Sequence, residues 1–183
     1  FASVCCGEKQ NALCCSSPAC NYRRDVNEED GNTFEALKVN IPAGTLATER
    51  IPLQALVEEY FTPERMESSF LFSCRQCSSS APPLKKVRLT LMPKVLVVYI
   101  NRVSWDPVRK KNVTLENIVE PCKALSFFGT SYTLCSVIFH IGTHAAGHYW
   151  CCSRHIVGGL ETWWTYDDSN RRACRKNEPF SSE

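Results

Sequence analysis

Apolar and polar residues alternate along one part of the chain and follow a helical spacing along the next. Between residues 33 and 41 the alternation has a period of two, which is typical of a half-buried strand, and Pro42 marks its end. Between residues 53 and 61 apolar residues recur at helical spacing, which predicts a short amphipathic helix that ends before Pro63. These patterns therefore predict a strand followed by a helix.

Further strands are predicted after the helix, with turn residues between them. The predicted strands are residues 70–77, 85–91, 95–100, 132–141, 149–153 and 162–166. Residues 95–100 form a continuous apolar run, which is typical of a strand buried on both faces. The balance of elements predicts a mixed α+β fold that is dominated by antiparallel strands and contains one clear helix.

A histidine and two carboxylates lie at the ends of neighbouring predicted strands. His148 follows Gly147 in a turn after one strand, and Asp167 and Asp168 end an aromatic strand fewer than 20 residues later. A carboxylate beside a histidine can accept a hydrogen bond from one ring nitrogen, which fixes the tautomer and leaves the other nitrogen free as a base. These groups are two of the three parts of a catalytic triad, and the nucleophile is the missing part.

Composition narrows the class of protein. The chain has 183 residues, of which 44% are hydrophobic and 22% charged, enough for one globular domain or a large part of one. A net charge of +2 with interspersed signs argues against a nucleic-acid partner. No apolar run approaches the roughly 20 residues of a membrane span, so no membrane association is expected. Because Phe1 begins no signal-peptide pattern, we expect the numbering to start inside a larger protein.

Twelve cysteines are a high count for a chain of this length. Cys74 and Cys77 form a CxxC pair, and an earlier cluster can supply a second pair. The members of that earlier cluster are Cys5, Cys6, Cys14, Cys15 and Cys20. Two separated pairs around one tetrahedral zinc ion are the usual meaning of this spacing in an intracellular protein. We therefore expect reduced thiols and a location in the cytoplasm or nucleus. The alternatives are a secreted disulfide scaffold and a pair of free thiols on a hairpin.

Several separated motifs together resemble one known family. Residues 53–61 resemble the helix that follows the first zinc knuckle in that family, and Cys74 and Cys77 resemble its second knuckle. Residues 91–102 are similar to a palm strand written LP.vL.i.LkRf, and residues 132–149 follow the pattern Y.L..V..H.G....GHY. On these motifs the chain resembles the C-terminal portion of the catalytic domain of a ubiquitin-specific protease, a papain-like cysteine protease.

The resemblance implies an α+β fold in which a papain-like palm with an antiparallel sheet adjoins zinc-finger-like hairpins, the fingers. Residues 1–90 would form the fingers with their knuckles and one connecting helix, and residues 91–183 would form the palm. The thumb and its cysteine box are absent from the sequence. The first knuckle has no CxxC pair, and Cys15 with Cys20 is the best match. The alternative ligands in the first knuckle are Cys5, Cys6 and Cys14.

The resemblance also implies roles for the candidate site residues. His148 would be the general base for a cysteine thiol, Asp167 would orient His148, and Asp168 would support the site near the oxyanion. Gly147 would suit the narrow channel through which a Gly-Gly tail passes. The implied reaction is hydrolysis of the isopeptide bond that follows the C-terminal Gly-Gly of ubiquitin.

The implied partners are ubiquitin or a ubiquitinated protein, together with a thumb segment or partner chain that carries the cysteine box. The 183 residues alone are therefore expected to be inactive. Two alternatives to the enzyme remain. One is a catalytically inactive ubiquitin-binding or scaffold module of the same fold. The other is a zinc-ribbon interaction protein in which the histidine strand is coincidental.

Overall fold

The computed structural model describes residues 2–26, 32–70, 72–106, 108–143, 146–175 and 178–180. In chain order, the elements are α1 (Ala2–Cys5), β1 (Gly7–Cys14), β2 (Arg23–Val26), β3 (Thr33–Phe34), β4 (Leu37–Asn40), β5 (Arg50–Pro52), α2 (Leu53–Phe61), β6 (Glu64–Arg65), β7 (Leu84–Leu91), β8 (Val98–Asn101), β9 (Val103–Asp106), β10 (Lys111–Thr114), β11 (Ile118–Glu120), β12 (Ala124–Phe127), β13 (Thr130–Thr133), β14 (Ser136–Gly142), β15 (Gly147–Val157), β16 (Leu160–Asp167), β17 (Asn170–Ala173) and a 3₁₀ turn (Glu178–Phe180). The chain divides into two compact units, Phe1–Val39 with Val57–Tyr99 and Asn40–Leu56 with Ile100–Glu183.

Helix α2 is the predicted amphipathic helix, and its bounds confirm the prediction. Leu56 and Val57, on its apolar stripe, are almost completely buried. The hydroxyl of Thr62 donates to the carbonyl oxygen of Glu58 at 3.0 Å, which satisfies one of the carbonyls left open at the end of the helix. Pro63 cannot continue the helix. Of the helices in the described part of the chain, none has the length and apolarity that a membrane span needs.

The first unit is built on a five-stranded sheet with β1 at its centre. The strand order is β2-β1-β7-β6, and β3 pairs with the beginning of β1. Ala12 and Leu13 of β1 are buried and form part of the core. Gly7 lies opposite Phe34, and a Cβ at position 7 would stand 2.5 Å from the Phe34 ring. Glycine is therefore needed where the Phe34 ring crosses β1.

The predicted strand at residues 33–41 is present in two pieces, β3 and β4. In β4, Leu37 and Val39 are buried while Lys38 and Asn40 are exposed, which confirms the period-2 pattern. Strand β4 pairs with β8 in a two-stranded sheet.

The prediction of a strand at residues 70–77 is wrong, because the described residues 72–74 have no regular structure and residues 75–77 form a turn. The amide of Ser78 donates to the carbonyl oxygen of Cys74 at 2.9 Å, and Ser78 has a positive φ of 57°. In a strand, residues 74 and 77 would point to opposite faces. The turn instead brings both thiols to the same side, as a shared ligand site requires.

The prediction that residues 95–100 form a strand buried on both faces is also wrong. The strand β8 begins only at Val98, and Val95, Val97 and Tyr99 are 39%, 43% and 53% exposed. Alternate residues of this run are half-buried, so one face packs while the described residues leave the other face largely open. A continuous apolar run shows that both faces are apolar, but it does not show that both are covered within the same chain.

The second unit contains a four-stranded antiparallel meander in the order β14-β15-β16-β17. The strand predicted at 132–141 is present in two pieces, the end of β13 and β14, and the strands predicted at 149–153 and 162–166 are confirmed with longer bounds in β15 and β16. The turn predicted at His148 is wrong, because β15 begins at Gly147 and pairs with β14 from its first residue. Strand β5 pairs in parallel with β11, where Arg50 and Glu120 form an ion pair at 2.6 Å. No local pattern predicts this parallel pair, because its strands are about 70 residues apart.

Candidate catalytic dyad and cysteine cluster

Strands β15 and β16 place the predicted histidine and aspartate on one face of the meander. Cys151 lies opposite Tyr166, and Cys152 lies opposite Thr165. Side chains alternate along a strand, so His148 shares the face of Cys152, and Asp167 shares the face of Thr165. The two-residue periodicity of the strands therefore brings the predicted base and the predicted orienter together, although they are 19 residues apart.

The imidazole of His148 contacts the carboxylate of Asp167 directly. The distance from Nε2 of His148 to Oδ1 of Asp167 is 2.5 Å, and the side chains are 46% and 49% exposed. An ionised carboxylate has no proton to donate, so Nε2 must carry the hydrogen. In the neutral ring this leaves Nδ1 unprotonated, and Nδ1 is the nitrogen that can act as a base.

Asp168 lies in the tight turn that joins β16 to β17. Its φ is 50°, a left-handed conformation that Asp tolerates better than most residues. The ligand atoms of His148, Asp167 and Asp168 all lie within 4.8 Å of one another. The structure thus gathers the three predicted catalytic residues, with Asp167 as the carboxylate that meets the ring. In the described part of the chain this group contains two carboxylates and no thiol.

Gly147 is required by the close approach of the neighbouring strand β14. A Cβ at position 147 would collide with Nε2 of His140 and would lie 2.5 Å from the carbonyl oxygen of Ile141. Any larger residue would push β15 away from β14 just before His148. The glycine therefore has a reason within the sheet itself, in addition to the channel that the sequence suggested.

A buried polar network lies on the same face as His148 and was not predicted. The hydroxyl of Thr165 donates to Oε1 of Glu178 at 3.2 Å and contacts the sulfur atoms of Cys174 and Cys152 at 3.2 and 3.6 Å. Burial raises the pKa of the Cys152 thiol to about 12. The sequence carried no signal for this network, because its members come from two strands, the segment after β17 and the 3₁₀ turn, and a cysteine in a strand is indistinguishable by pattern from a small apolar residue.

Glu178 attaches the 3₁₀ turn to the meander. Its carboxylate accepts from both terminal nitrogens of Arg172, at 2.8 and 2.5 Å, and from the amide of Arg175 at 2.7 Å. The hydrogen bonds from Arg172 lower the pKa of Glu178 to about 2. The ring of Phe180 in the same turn packs edge-on against Trp163 of β16.

Cys15, Cys20, Cys74 and Cys77 form the second predicted site. The sulfur atoms of Cys15 and Cys77, and those of Cys20 and Cys74, are each 3.6 Å apart, and all four lie within 4.8 Å of one another. A zinc ion with tetrahedral Zn–S bonds of about 2.3 Å holds its sulfurs roughly 3.8 Å apart. The four residues therefore fit such an ion. All twelve cysteines are free thiols.

Two local turns aim these thiols at one point. The amide of Cys20 donates to the carbonyl oxygen of Ser17 at 3.0 Å, which folds the chain back after β1. Burial disfavours a charged sulfur at Cys74, but hydrogen bonds from the amides of Cys77 and Gln76 outweigh it and lower the pKa of Cys74 to about 7. A thiolate is the form that binds metal, so the CxxC turn prepares one ligand at neutral pH.

Comparison with known proteins identifies the class of protein to which this fold and this dyad belong. The sequence model of the ubiquitin carboxyl-terminal hydrolase family matches residues 8–183. The chain therefore belongs to the ubiquitin carboxyl-terminal hydrolase family, and the resemblance seen in the motifs is confirmed.

Two relatives are considerably longer than the region that matches this chain. Probable ubiquitin carboxyl-terminal hydrolase R319 of Acanthamoeba polyphaga mimivirus is 24% identical over 172 residues, which cover 89% of this chain and 35% of the viral protein. Ubiquitin carboxyl-terminal hydrolase 21 of Homo sapiens is 26% identical over 184 residues, which cover 97% of this chain and 31% of the human protein. The chain thus spans about a third of the length of these relatives.

Solved structures share the fold. A SAGA DUB module of Ubp8, Sgf11, Sus1 and Sgf73 bound to monoubiquitin matches 96% of this chain and 38% of the chain compared, with a TM-score of 0.78 and 22% identity. The same module bound to ubiquitin aldehyde matches 96% of this chain and 39% of the other, with a TM-score of 0.78 and 18% identity. At this identity the likeness shows that the fold is the same.

Proposed function

We propose that this chain supplies the histidine and aspartate of a cysteine-dependent deubiquitinase, which hydrolyses the isopeptide bond after the C-terminal Gly-Gly of ubiquitin. The observation that carries the proposal is the contact between Nε2 of His148 and Oδ1 of Asp167, which leaves Nδ1 as a base. A binding surface has no need of this pairing. The family match makes ubiquitin the expected substrate.

In the first step, Nδ1 of His148 takes the proton of a cysteine thiol. The thiolate sulfur attacks the carbonyl carbon of the terminal glycine of ubiquitin, and a tetrahedral intermediate forms. When it collapses, the C–N bond breaks, and the lysine nitrogen leaves as an amine with the proton from His148. Asp167 accepts the Nε2 hydrogen bond throughout and stabilises the imidazolium that exists between these proton transfers.

In the second step, a water molecule attacks the thioester. Nδ1 of His148 removes a proton from the water, the C–S bond breaks, and the thiolate and a ubiquitin carboxylate are released. We assign Asp168 to hydrogen bonding near the oxyanion, because its carboxylate lies in the same cluster while Asp167 occupies the ring. Gly147 would keep side chains away from the Gly-Gly tail.

We assign a structural zinc ion to Cys15, Cys20, Cys74 and Cys77, because their sulfur spacing fits a tetrahedral site. When bound, zinc would cross-link the two turns and take no part in the chemistry. This site would belong to a fingers region at residues 1–90, followed by a palm region at residues 91–183. Reduced thiols fit an intracellular location, in the cytoplasm or nucleus.

The nucleophile of this enzyme would come from a thumb segment or a partner chain. Cys152 shares the face of His148, but it lies four residues along the strand, about 13 Å away, and its pKa is raised to about 12. The same observation favours one alternative, a catalytically inactive ubiquitin-binding module with a remnant dyad.

Hydrolysis of a ubiquitin–lysine isopeptide reporter by the natural polypeptide separates the two functions. We expect His148→Ala to lower kcat/KM by on the order of 10²–10⁴-fold, as for loss of a general base. His155→Ala is the matched control, since His155 lies on the opposite face of the meander and bonds to Tyr166. It should leave the rate unchanged within about twofold. If the wild-type polypeptide binds ubiquitin but never cleaves the reporter, the inactive module is correct.

A further inference from the structure

The ring of His148 is part of a cluster of three rings with nearly parallel planes. The centroid of the Trp150 indole lies 6.3 Å from that of His148, and the two planes differ by 19°. Trp150 also lies 5.4 Å from the ring of Phe139, with planes that differ by 15°. The three ring planes are nearly parallel, and Trp150 contacts both of the other rings.

The strand register explains the ring cluster. Phe139 of β14 lies directly opposite Trp150 of β15. His148 is two residues before Trp150 on the same strand, so both side chains project from the same face. Trp150 is half-buried, whereas His148 is exposed. The rings of Trp150 and Phe139 therefore lie beside the exposed imidazole of His148 and cover part of it.

The hydrogen bond and the ring cluster restrict different motions of His148. The bond to Asp167 determines which nitrogen faces the carboxylate, but an exposed bond of this kind leaves the plane of the ring free to tilt. The neighbouring indole restricts the tilt of the ring. Because a tilted ring bonds to Asp167 less well, the indole also favours the tautomer with hydrogen on Nε2. The loss of one aromatic contact changes the ratio of the two imidazole tautomers by about two- to tenfold. Both contacts are needed to hold Nε2 on Asp167 and Nδ1 in a fixed direction.

We propose that Trp150 is a positioning residue for His148: backed by Phe139, its indole holds the imidazole in the plane in which Nε2 meets Asp167 and Nδ1 is presented to the thiol. Its catalytic consequence rests on the proposed deubiquitinase function. The ring orientation itself does not, because it can be measured in an inactive protein.

The orientation can be measured by long-range ¹H–¹⁵N spectra of the natural polypeptide with labelled histidine, near pH 8, where an imidazole is mostly neutral. His148→Gln identifies the His148 signals. We expect one tautomer, with hydrogen on Nε2, in the wild type and in Trp150→Phe, which keeps a ring. In Trp150→Leu the population of the other tautomer should rise about two- to tenfold.

Trp164→Leu is the matched control, because Trp164 is a half-buried tryptophan of the same meander on the opposite face, where it contacts Arg171. It should leave the tautomer unchanged. An unchanged tautomer in folded Trp150→Leu overturns the proposal. Should that variant not fold, the wild type decides. The ring protons of Trp150 and His148 must then show nuclear Overhauser contacts in the wild type, and their absence also overturns the proposal.

Kinetics then separate this inference from the proposed function. If the wild type hydrolyses the reporter, Trp150→Leu should lower kcat about two- to tenfold with KM unchanged, and Trp150→Phe should restore it. A rise in KM without a change in kcat would overturn the positioning role. If the wild type is inactive while the tautomer responds as expected, the proposed function fails and the positioning inference stands.

Discussion

At the scale of single residues, the hydrogens around Thr165 can be assigned one by one. Glu178 is ionised at neutral pH, so it can only accept, and the hydroxyl of Thr165 must donate to it. The oxygen of Thr165 then has only lone pairs left for Cys152 and Cys174. The Cys152 thiol must therefore donate, which requires it to be protonated and agrees with its raised pKa.

This assignment predicts that Cys152 is chemically inert. Its pKa of about 12, raised by burial, leaves very little thiolate at pH 8, and the thiolate is the form that reacts. We expect iodoacetamide to modify Cys152 more than about a hundredfold more slowly than the exposed Cys135 in the native protein. Mass spectrometry of timed samples measures both rates, and comparable rates would contradict the assignment. In urea the two cysteines should react alike.

The Glu178 carboxylate predicts an acid-dependent contribution to stability. Its folded pKa of about 2 lies below the ordinary value of 4.5, because of the hydrogen bonds from Arg172. The stabilisation is therefore complete above pH 4.5 and is lost as the pH falls towards 2. Glu178→Gln should lower the free energy of unfolding by on the order of 1–2 kcal/mol at neutral pH, since Arg172 is half exposed to screening solvent.

Urea titrations at several pH values test this prediction. The difference between wild type and Glu178→Gln should shrink as the pH falls below 4.5. Glu161→Gln removes an exposed carboxylate from β16 and should change the free energy of unfolding by less than about 0.5 kcal/mol throughout. If the difference in the free energy of unfolding stayed constant down to acid pH, the stabilisation assigned to the ion pair of Glu178 and Arg172 would be contradicted.

The cysteine cluster predicts which thiols hold metal. Cys74→Ser removes one of four ligands whose sulfurs lie within 4.8 Å of one another, so bound zinc should fall from about one ion per chain to well below half. Cys135→Ser is the control, since Cys135 lies outside this cluster. Elemental analysis of the purified proteins measures the change. Equal zinc in the two variants would contradict the assignment of the ligands.

At the scale of elements, the hairpin of β16 and β17 sets the distance between the dyad and Asp168. Tyr166 pairs with Arg171, and Asp167 pairs with Asn170, which leaves a two-residue turn at 168–169. Arg171 also lies over the ring of Trp164 at 4.1 Å, on the face opposite Asp167. The pairing on both sides of the turn holds the carboxylate of Asp167 at the end of a rigid ladder.

The turn predicts a conformational requirement at position 168 that is separate from any chemical role. Its φ of 50° is accessible to Asp and Asn but strained for a β-branched residue. Asp168→Val should therefore lower the free energy of unfolding by roughly 1–2 kcal/mol. Asp168→Asn should change it by less than about 0.5 kcal/mol while it removes the carboxylate. Chemical denaturation compares them, and equal stabilities would show that the turn is not strained.

Local sequence predicted the strands that carry the dyad, because short apolar and aromatic runs are bounded there by turn residues, and it predicted α2 from its apolar stripe. It failed at Cys74–Cys77, where the demand that two thiols meet overrides the tendency to form a strand. It also missed the Thr165 network and the parallel pair of β5 and β11. These depend on contacts between distant parts of the chain, which no local pattern encodes.

At the scale of the whole molecule, the chain corresponds to only part of the length of its relatives. It spans 35% and 31% of the two relatives described above. In the first unit, the open face of the run at Val95, Val97 and Tyr99 exposes apolar side chains that a further layer would bury. We propose that a thumb segment or a partner chain provides such a layer.

The central claim is that His148 and Asp167 serve a cysteine outside these 183 residues. The most direct test is to react the natural polypeptide with a ubiquitin carrying a C-terminal electrophile and to locate the adduct by peptide mass spectrometry. We expect one covalent adduct, on a cysteine other than the twelve in this sequence, and we expect His148→Ala to abolish or strongly slow its formation. An adduct on one of these twelve cysteines, or one that forms equally fast without His148, would contradict the account.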